Sequence, residues 1–194
     1  MTSILPESAR NPRYGTGLYR RRIRLTSTDR CVLGELEDDC HGFRVSLCHD
    51  GRVVTALAGE VRRAPLTTCP GAVAPLQSLV GLALDAPVSS IVARVNPRSN
   101  CTHLYDLSLL AMAHAVQPDA VRVYDVEVDD QSADGRPARA EVFLDGKSCH
   151  RWSVDRTRIV EPLAYAGRPV LGGFAAWVND VLAARHGGFV AFNG

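Results

Sequence analysis

The chain has 194 residues, of which 46% are apolar and 22% are charged, and its formal net charge is +1. This balance is typical of a globular protein with a sizeable core, and it argues against a globally basic nucleic-acid-binding protein. No apolar run approaches the length of about 18 residues that predicts a membrane span. We therefore expect neither a nucleic-acid nor a membrane partner.

The beginning of the chain predicts a polar N-terminal extension at residues 1–19, since prolines interrupt it and it lacks the apolar stretch of a signal peptide. We expect a single domain at 20–186 and a glycine-rich tail at 187–194. A cytoplasmic location follows as the expectation, and with it six reduced cysteines.

Alternating patterns predict the strands of the first half. From Arg20 to Leu25 arginines alternate with apolar residues, which indicates either a solvated edge strand or a cationic wall for a carboxylate or phosphate. Three further strands are expected at 32–39, 41–49 and 53–61, and Asp50-Gly51 is a strong hairpin signal. Together these strands predict an N-terminal antiparallel meander.

Helical spacing predicts two central helices. The first is a short amphipathic helix at 74–84, and the second runs from Cys101 to about Val116 behind Asn100, a good N-cap residue. Strands are then expected at 121–128, 138–144 and 150–154, with a last helix at 174–185. The predicted fold class is α+β: an N-terminal antiparallel β-meander, a central helix pair, a second antiparallel β segment and a C-terminal helix.

Two reactive side chains fall in the first turn of the second helix. Cys101 at a helix start sits where free N–H groups and the helix dipole favour a thiolate, and His103 is a candidate acid, base or ligand. The alternative is a buried small cysteine and a capping histidine. The two side chains diverge by about 200°, so they would line adjacent walls of a pocket. Tyr105, in the same turn, is a candidate substrate contact.

A second candidate site lies at Asp38-Asp39-Cys40-His41. His41 shares an apolar strand face with Phe43, which predicts that its ring points into the core or a cavity. A carboxylate beside it, taken to be Asp39, would orient the ring and suit acid–base work. The alternative is an Asx turn at a hairpin with an ordinary histidine.

Arg63 and Cys69 are candidate substrate contacts, Arg63 as an anchor for an anion and Cys69 in an exposed Thr-Thr-Cys-Pro-Gly loop. A plain surface loop is the alternative for Cys69. Zinc or iron could use donors of the right type at several positions, although no Cys-x-x-Cys or His-Glu-x-x-His spacing occurs. These donors are Asp39, His41, Cys69, Cys101 and His103. Glycine-rich nucleotide loops are missing from the sequence, so no organic cofactor is expected.

An ordered set of short motifs runs through the chain. It comprises Asp38-Asp39-x-His41-x-Phe43-Arg44-Val45, His49-Asp50-Gly51, Arg63-x-Pro65, Thr67-Thr68-Cys69-Pro70-Gly71-Ala72, Leu79-x-Gly81, Cys101-Thr102-His103-Leu104-x-Asp106-Leu107, Asp145-Gly146 and Trp152. With this set the chain resembles a bacterial family known only as domain of unknown function 2889, from about residue 20 to 185. The resemblance implies a stand-alone cytosolic protein and brings no activity, cofactor or catalytic residue. Cys40 departs from the bulky apolar residue expected there.

The residues favour a small-molecule enzyme that performs a lyase, isomerase or hydrolase step on an apolar or aromatic acid. His41, oriented by Asp39, would be the acid or base, Cys101 a nucleophile or anion stabiliser, and His103 a second proton carrier. Two alternatives stay open: a metal-binding protein with a Cys/His site, and a non-catalytic ligand-binding module. A homo-oligomer is also open. The enzymatic hypothesis requires that His41 and Cys101 face the same hollow.

Overall fold

One antiparallel sheet organises the chain, of which the computed structural model describes residues 16–67, 69–117, 119–132, 134–174 and 176–178. Within these ranges the sheet has eight strands: β1 (Leu18–Thr28), β2 (Cys31–Asp38), β3 (Gly42–His49), β4 (Val54–Arg63), β5 (Val121–Asp129), β6 (Ala138–Leu144), β7 (Lys147–Asp155) and β8 (Arg158–Glu161). Their order is β4-β3-β2-β1-β5-β6-β7-β8. Two meanders therefore meet along β1 and β5.

The connection between β4 and β5 carries the helices. It contains a 3₁₀ segment (Cys69–Leu79), the short helix α1 (Val88–Arg94), a 3₁₀ turn (Pro97–Ser99) and the longer helix α2 (Thr102–Ala115); a further 3₁₀ turn follows β8 at Leu163–Tyr165. Helix α2 packs across β1, β2 and β3. None of the helices in the described ranges is long and apolar enough to cross a membrane.

The period of two gives β1 two different faces. Leu25 and, with partial exposure, Ile23 point toward α2 and pack in the main core. Arg20, Arg22 and Arg24 alternate with them and lie on the opposite, charged face, where Arg22 bonds Asp125 of β5 at 2.6 Å. Because β1 lies in the middle of the sheet and not at its edge, the edge-strand interpretation is corrected. The arginines belong to a solvated, ion-paired face.

The predicted α+β fold with a central helix pair is wrong, because the described chain forms one large antiparallel sheet with few small helices. Pro75 lies within the first expected helix, and the chain there is a 3₁₀ segment. The second set of strands extends the first sheet and ends in β8, which the pattern did not predict. Of the expected helix at 174–185, residues 174 and 176–178 are described and helical. The other residues of that helix, residues 1–15 and the tail lie outside the described residues.

The expectation of six reduced cysteines is also corrected, because Cys31 and Cys48 form a disulfide. The register of β2 and β3 places them directly opposite each other, with their Cα atoms 4.0 Å apart. The remaining four cysteines are free thiols. Since disulfides are rare in the cytosol, this bond speaks against the cytoplasmic location, which stays a prediction.

Candidate functional site

Three polar side chains meet where α2 begins over the sheet. Asp38 ends β2, His41 immediately precedes β3, and His103 lies in the first turn of α2. The ring centroids of His41 and His103 are 4.0 Å apart, with 34° between the ring planes. Phe43 lies beside both rings, at 5.5 and 5.8 Å. The strands thus supply an acid and an imidazole, and α2 supplies a second imidazole.

The Asp38 carboxylate is the centre of this cluster, with only 1% of its side chain exposed. Its Oδ1 accepts hydrogen bonds from the backbone N–H groups of Cys40 (2.9 Å) and His41 (2.8 Å) and from the His41 ring (2.9 Å). Its Oδ2 accepts from the Tyr19 hydroxyl (2.8 Å) and from Arg21 Nε and Nη2 (2.9 and 2.7 Å). Burial raises the pKa of Asp38, but these donors outweigh burial and hold it well below its usual range. The carboxylate is therefore ionised.

The ionised carboxylate determines how His41 is oriented. Its acceptor oxygen lies 2.9 Å from His41 Nδ1, so we assign the ring proton to Nδ1. The other nitrogen, Nε2, then carries a lone pair that can accept a proton. The side chain of His41 is 17% exposed, so part of the ring is in contact with solvent.

His103 has a different electrostatic environment. Burial, followed by the nearby charges of Arg21 and His41, lowers the pKa of His103 to about 4. His103 is therefore neutral at pH 7. Its Nδ1 lies 4.0 Å from the Sγ of Cys101, the N-cap residue of α2, a distance at the outer limit for a hydrogen bond to sulfur.

We expect the imidazole of His103 to stay neutral until the pH falls to about 4. Because its folded pKa lies below the unfolded value of about 6.5, proton uptake by the unfolded chain removes stability as the pH falls from 6.5 toward 4. The loss is at most roughly 3 kcal/mol, and partial exposure makes it smaller. An NMR titration of the His103 ring checks the pKa, and His103→Gln should unfold with a weaker pH dependence over this range. A ring that titrates near pH 6.5 would contradict the proposed environment.

The structure brings together three of the predicted site residues, His41, Cys101 and His103. Asp39 is exposed, and its neighbour Asp38 takes the place beside His41. This pairing corrects the expected Asp39–His41 contact. Asp38 could have been found from the period of two, which places it on the same face of β2 as the buried Leu36.

The three expected substrate contacts have other surroundings. Arg63 donates through Nη2 to the backbone carbonyl oxygens of Asp38 (2.6 Å) and His41 (3.2 Å). Tyr105 is 2% exposed within the core, and its hydroxyl has no hydrogen-bond partner among the described residues. Cys69 begins the 3₁₀ segment that packs against β4.

Tyr19 and Arg21 belong to the site, although the sequence pattern did not single them out. Both alternate in phase with Ile23 and Leu25, so they share the face of β1 that α2 covers. The register pairs Arg21 directly with Asp38 across β1 and β2. The alternation along β1 places Tyr19 and Arg21 on the buried face, but Arg20 and Arg22 on either side make Arg21 look like one of three exposed arginines.

Metal donors converge only in part. Among the described residues, one ligand atom from each of Asp38, His41 and His103 lies within 4.8 Å of the others. Imidazole and carboxylate suit zinc or iron, but both Asp38 oxygens already accept hydrogen bonds. The five-residue donor set expected from the sequence does not assemble, because Asp39, Cys69 and Cys101 lie outside this group.

A groove of about 830 Å³ lies on the charged face of the sheet, along β1 and β5. Its wall includes Arg20, Arg22, Asp125 and Glu127. It shares Arg21 and Asp38 with the site, but neither imidazole nor Cys101 lines it. This groove is thus separate from the stacked histidines, and it is not a hollow that His41 and Cys101 share.

Comparison with known proteins places residues 23–117 in one family. This range matches the family described as "Protein of unknown function (DUF2889)". Curated proteins give no match. The matched range extends from within β1 to just beyond α2 and contains Asp38, His41 and His103. Over this range the chain matches the DUF2889 family of proteins of unknown function.

Proposed function

We propose that the chain is a small-molecule enzyme that works by acid–base chemistry at His41. The observation that carries the proposal is the Asp38–His41 pair: an ionised, hydrogen-bonded carboxylate fixes Nδ1 of the ring and leaves Nε2 without a hydrogen-bond partner among the described residues. A general base needs this arrangement, because the carboxylate stabilises the imidazolium that forms when Nε2 takes a proton.

In the proposed step, Nε2 of His41 removes a proton from the substrate and later returns it to the same molecule or to the leaving group. Asp38 stays ionised and balances the charge on the ring throughout. His103 stays neutral against the His41 ring, so the stack carries one positive charge at a time. Lyase, isomerase and hydrolase steps on a small acid all use such a proton transfer.

Acid–base chemistry fits the site better than thiolate chemistry. The imidazole of His103, 4.0 Å from the Sγ of Cys101, is kept neutral by burial, so it supplies no positive charge beside the thiol. The side chain of Cys101 makes no capping hydrogen bond to α2. We assign Cys101 to the lining of the site.

The test compares the wild type with His41→Gln, Cys101→Ser and His49→Gln in a mixture of small carboxylic acids, with mass spectrometry as the readout. His49 is the matched control, because it lies at the far end of β3 in the Asp50-Gly51 hairpin. We expect the wild type to consume or rearrange an acid, and His41→Gln to be slower by about 10²–10⁴-fold. Cys101→Ser and His49→Gln should keep most of the rate.

Two outcomes would overturn the proposal. If Cys101→Ser loses the activity while His41→Gln keeps it, the reaction depends on the thiol. If the wild type binds an acid but leaves it unchanged, the site is a ligand-binding module without catalysis.

A further inference from the structure

We propose that Arg63 is a positioning residue that holds the turn between Asp38 and His41 and thereby fixes the ring of His41 in its Nδ1–H form. The inference deepens the proposed acid–base function and rests on it for its catalytic meaning. The geometric part can be tested without a substrate.

The turn is closed from the inside by Asp38. Its backbone N–H donates to the carbonyl oxygen of His41 at 3.0 Å, and its carboxylate accepts the N–H groups of Cys40 and His41. The same carboxylate oxygen also accepts the ring proton of His41. Any movement of the turn therefore changes the contact that orients the imidazole, in which Nδ1 lies 2.9 Å from Oδ1 and 3.2 Å from Oδ2 of Asp38.

Arg63 closes the turn from the outside. Its Nη2 lies 2.6 Å from the carbonyl oxygen of Asp38 and 3.2 Å from that of His41, the two ends of the turn. The arginine is the last residue of β4 and pairs with Gly42 at the start of β3, next to a register irregularity. One guanidinium from β4 thus forms hydrogen bonds with both ends of the turn.

The two hydrogen bonds from Arg63 are strong for a turn at the protein surface. Hydrogen bonds with a charged partner are shorter and stronger than those between neutral groups. The His41 ring also contacts His103 of α2. If α2 shifts relative to β2, the ring of His41 keeps its orientation only when the turn that carries it is restrained. Arg63 supplies that restraint, and its loss would let the turn and the ring take other orientations.

The contacts of Arg63 argue against its expected role as an anchor for a substrate anion. Nη2 is used by the two carbonyl groups, and the carboxylate of Glu37 lies 3.1 Å from the same nitrogen. Glu37 balances the positive charge of the guanidinium. An anion would therefore compete with Glu37 and the two carbonyl groups for this nitrogen.

The test uses Arg63→Gln and Arg63→Lys, with Arg62→Gln as the matched control. The side chains of Arg62 and Arg63 are equally exposed, at 49%, but Arg62 pairs with Glu60. The readout is the ring ¹⁵N chemical shifts of His41 at about pH 8.5, above the ordinary imidazole pKa of about 6.5. We expect one Nδ1–H form in the wild type and in Arg62→Gln, a mixture of forms in Arg63→Gln, and partial recovery in Arg63→Lys.

Turnover supplies the second readout once a substrate is known. We expect Arg63→Gln to lower kcat about 10-fold or more with little change in KM, since positioning errors act on the chemical step. Unchanged ¹⁵N shifts in both Arg63 variants would overturn the inference, and so would a raised KM with an unchanged kcat. A wild type that shows the expected shifts but no turnover would instead refute the proposed enzyme and leave the positioning role standing.

Discussion

Asp38→Asn is expected to destabilise the folded chain by about 3–5 kcal/mol, the range for removing one partner of a buried ion pair. In the wild type, Nε and Nη2 of Arg21 donate to the Asp38 carboxylate. The neutral amide of the variant would leave this guanidinium without its counter-charge. The amide NH₂ would also face donors where a carboxylate oxygen accepts now. Urea unfolding at neutral pH measures the loss.

The effect of Asp38→Asn should depend on pH in a defined direction. Because the pKa of Asp38 is lower in the folded than in the unfolded chain, its stabilisation is complete above about pH 4, the ordinary carboxyl value. It is lost as the pH falls below that value toward the folded pKa, so wild type and variant should converge in acid.

Asp39→Asn is the control, because Asp39 is exposed and lies one residue away. Its stability should stay within about 0.5 kcal/mol of the wild type. Equal losses for the two asparagine variants would show that the hydrogen bonds at Asp38 do not stabilise the fold.

Gly34→Val is expected to cost about 3 kcal/mol, at the upper end for overpacking a core. A Cβ at Gly34 would lie 3.1 and 3.2 Å from Cδ1 and Cγ of Leu107, and 3.4 Å from Leu25. Leu107 belongs to α2 and is fully buried against the sheet, so the added side chain would push the helix away from the sheet. His103 moves with α2 and should become more exposed, which would bring its pKa back toward 6.5.

Thermal unfolding and the NMR titration of His103 check both parts of this prediction. The control is Gly71→Val, since a Cβ at Gly71 meets no atom within 4 Å. If Gly34→Val unfolds like the wild type and His103 keeps its low pKa, α2 tolerates the side chain and does not rely on close contact at Gly34.

The sequence predicts most elements of the fold but not their assembly. Alternation located seven of the eight strands, and the Asp145-Gly146 hairpin has the two positive φ angles, 50° and 78°, that its residues favour. Pairing between β1 and β5 could not be read, because periodicity reports which face a residue occupies and not which strand lies beside it. The expected separation into two β segments failed for that reason.

For the same reason, the sequence places site residues within one element but does not predict contacts between distant elements. Cys101 is the extended N-cap residue of α2 and not a helical one, so the divergence of about 200° expected from helical geometry does not apply, and its Sγ lies 4.0 Å from Nδ1 of His103. The contact of His103 with His41 joins two elements about 60 residues apart, and it depends on where α2 crosses the sheet. The disulfide of Cys31 and Cys48 needed the register of β2 and β3, which the sequence does not reveal.

The family match ends at residue 117, before β5 begins at Val121. Strand β1 pairs with β2 on one side and, from Leu18 to Thr26, with β5 on the other. A fragment confined to the matched range would keep residues 23–28 of β1, and at 23–26 it would expose the amide and carbonyl groups that now pair with β5, ready to pair with another copy. We expect such a fragment to dimerise or precipitate, since the second meander shields the first from self-association.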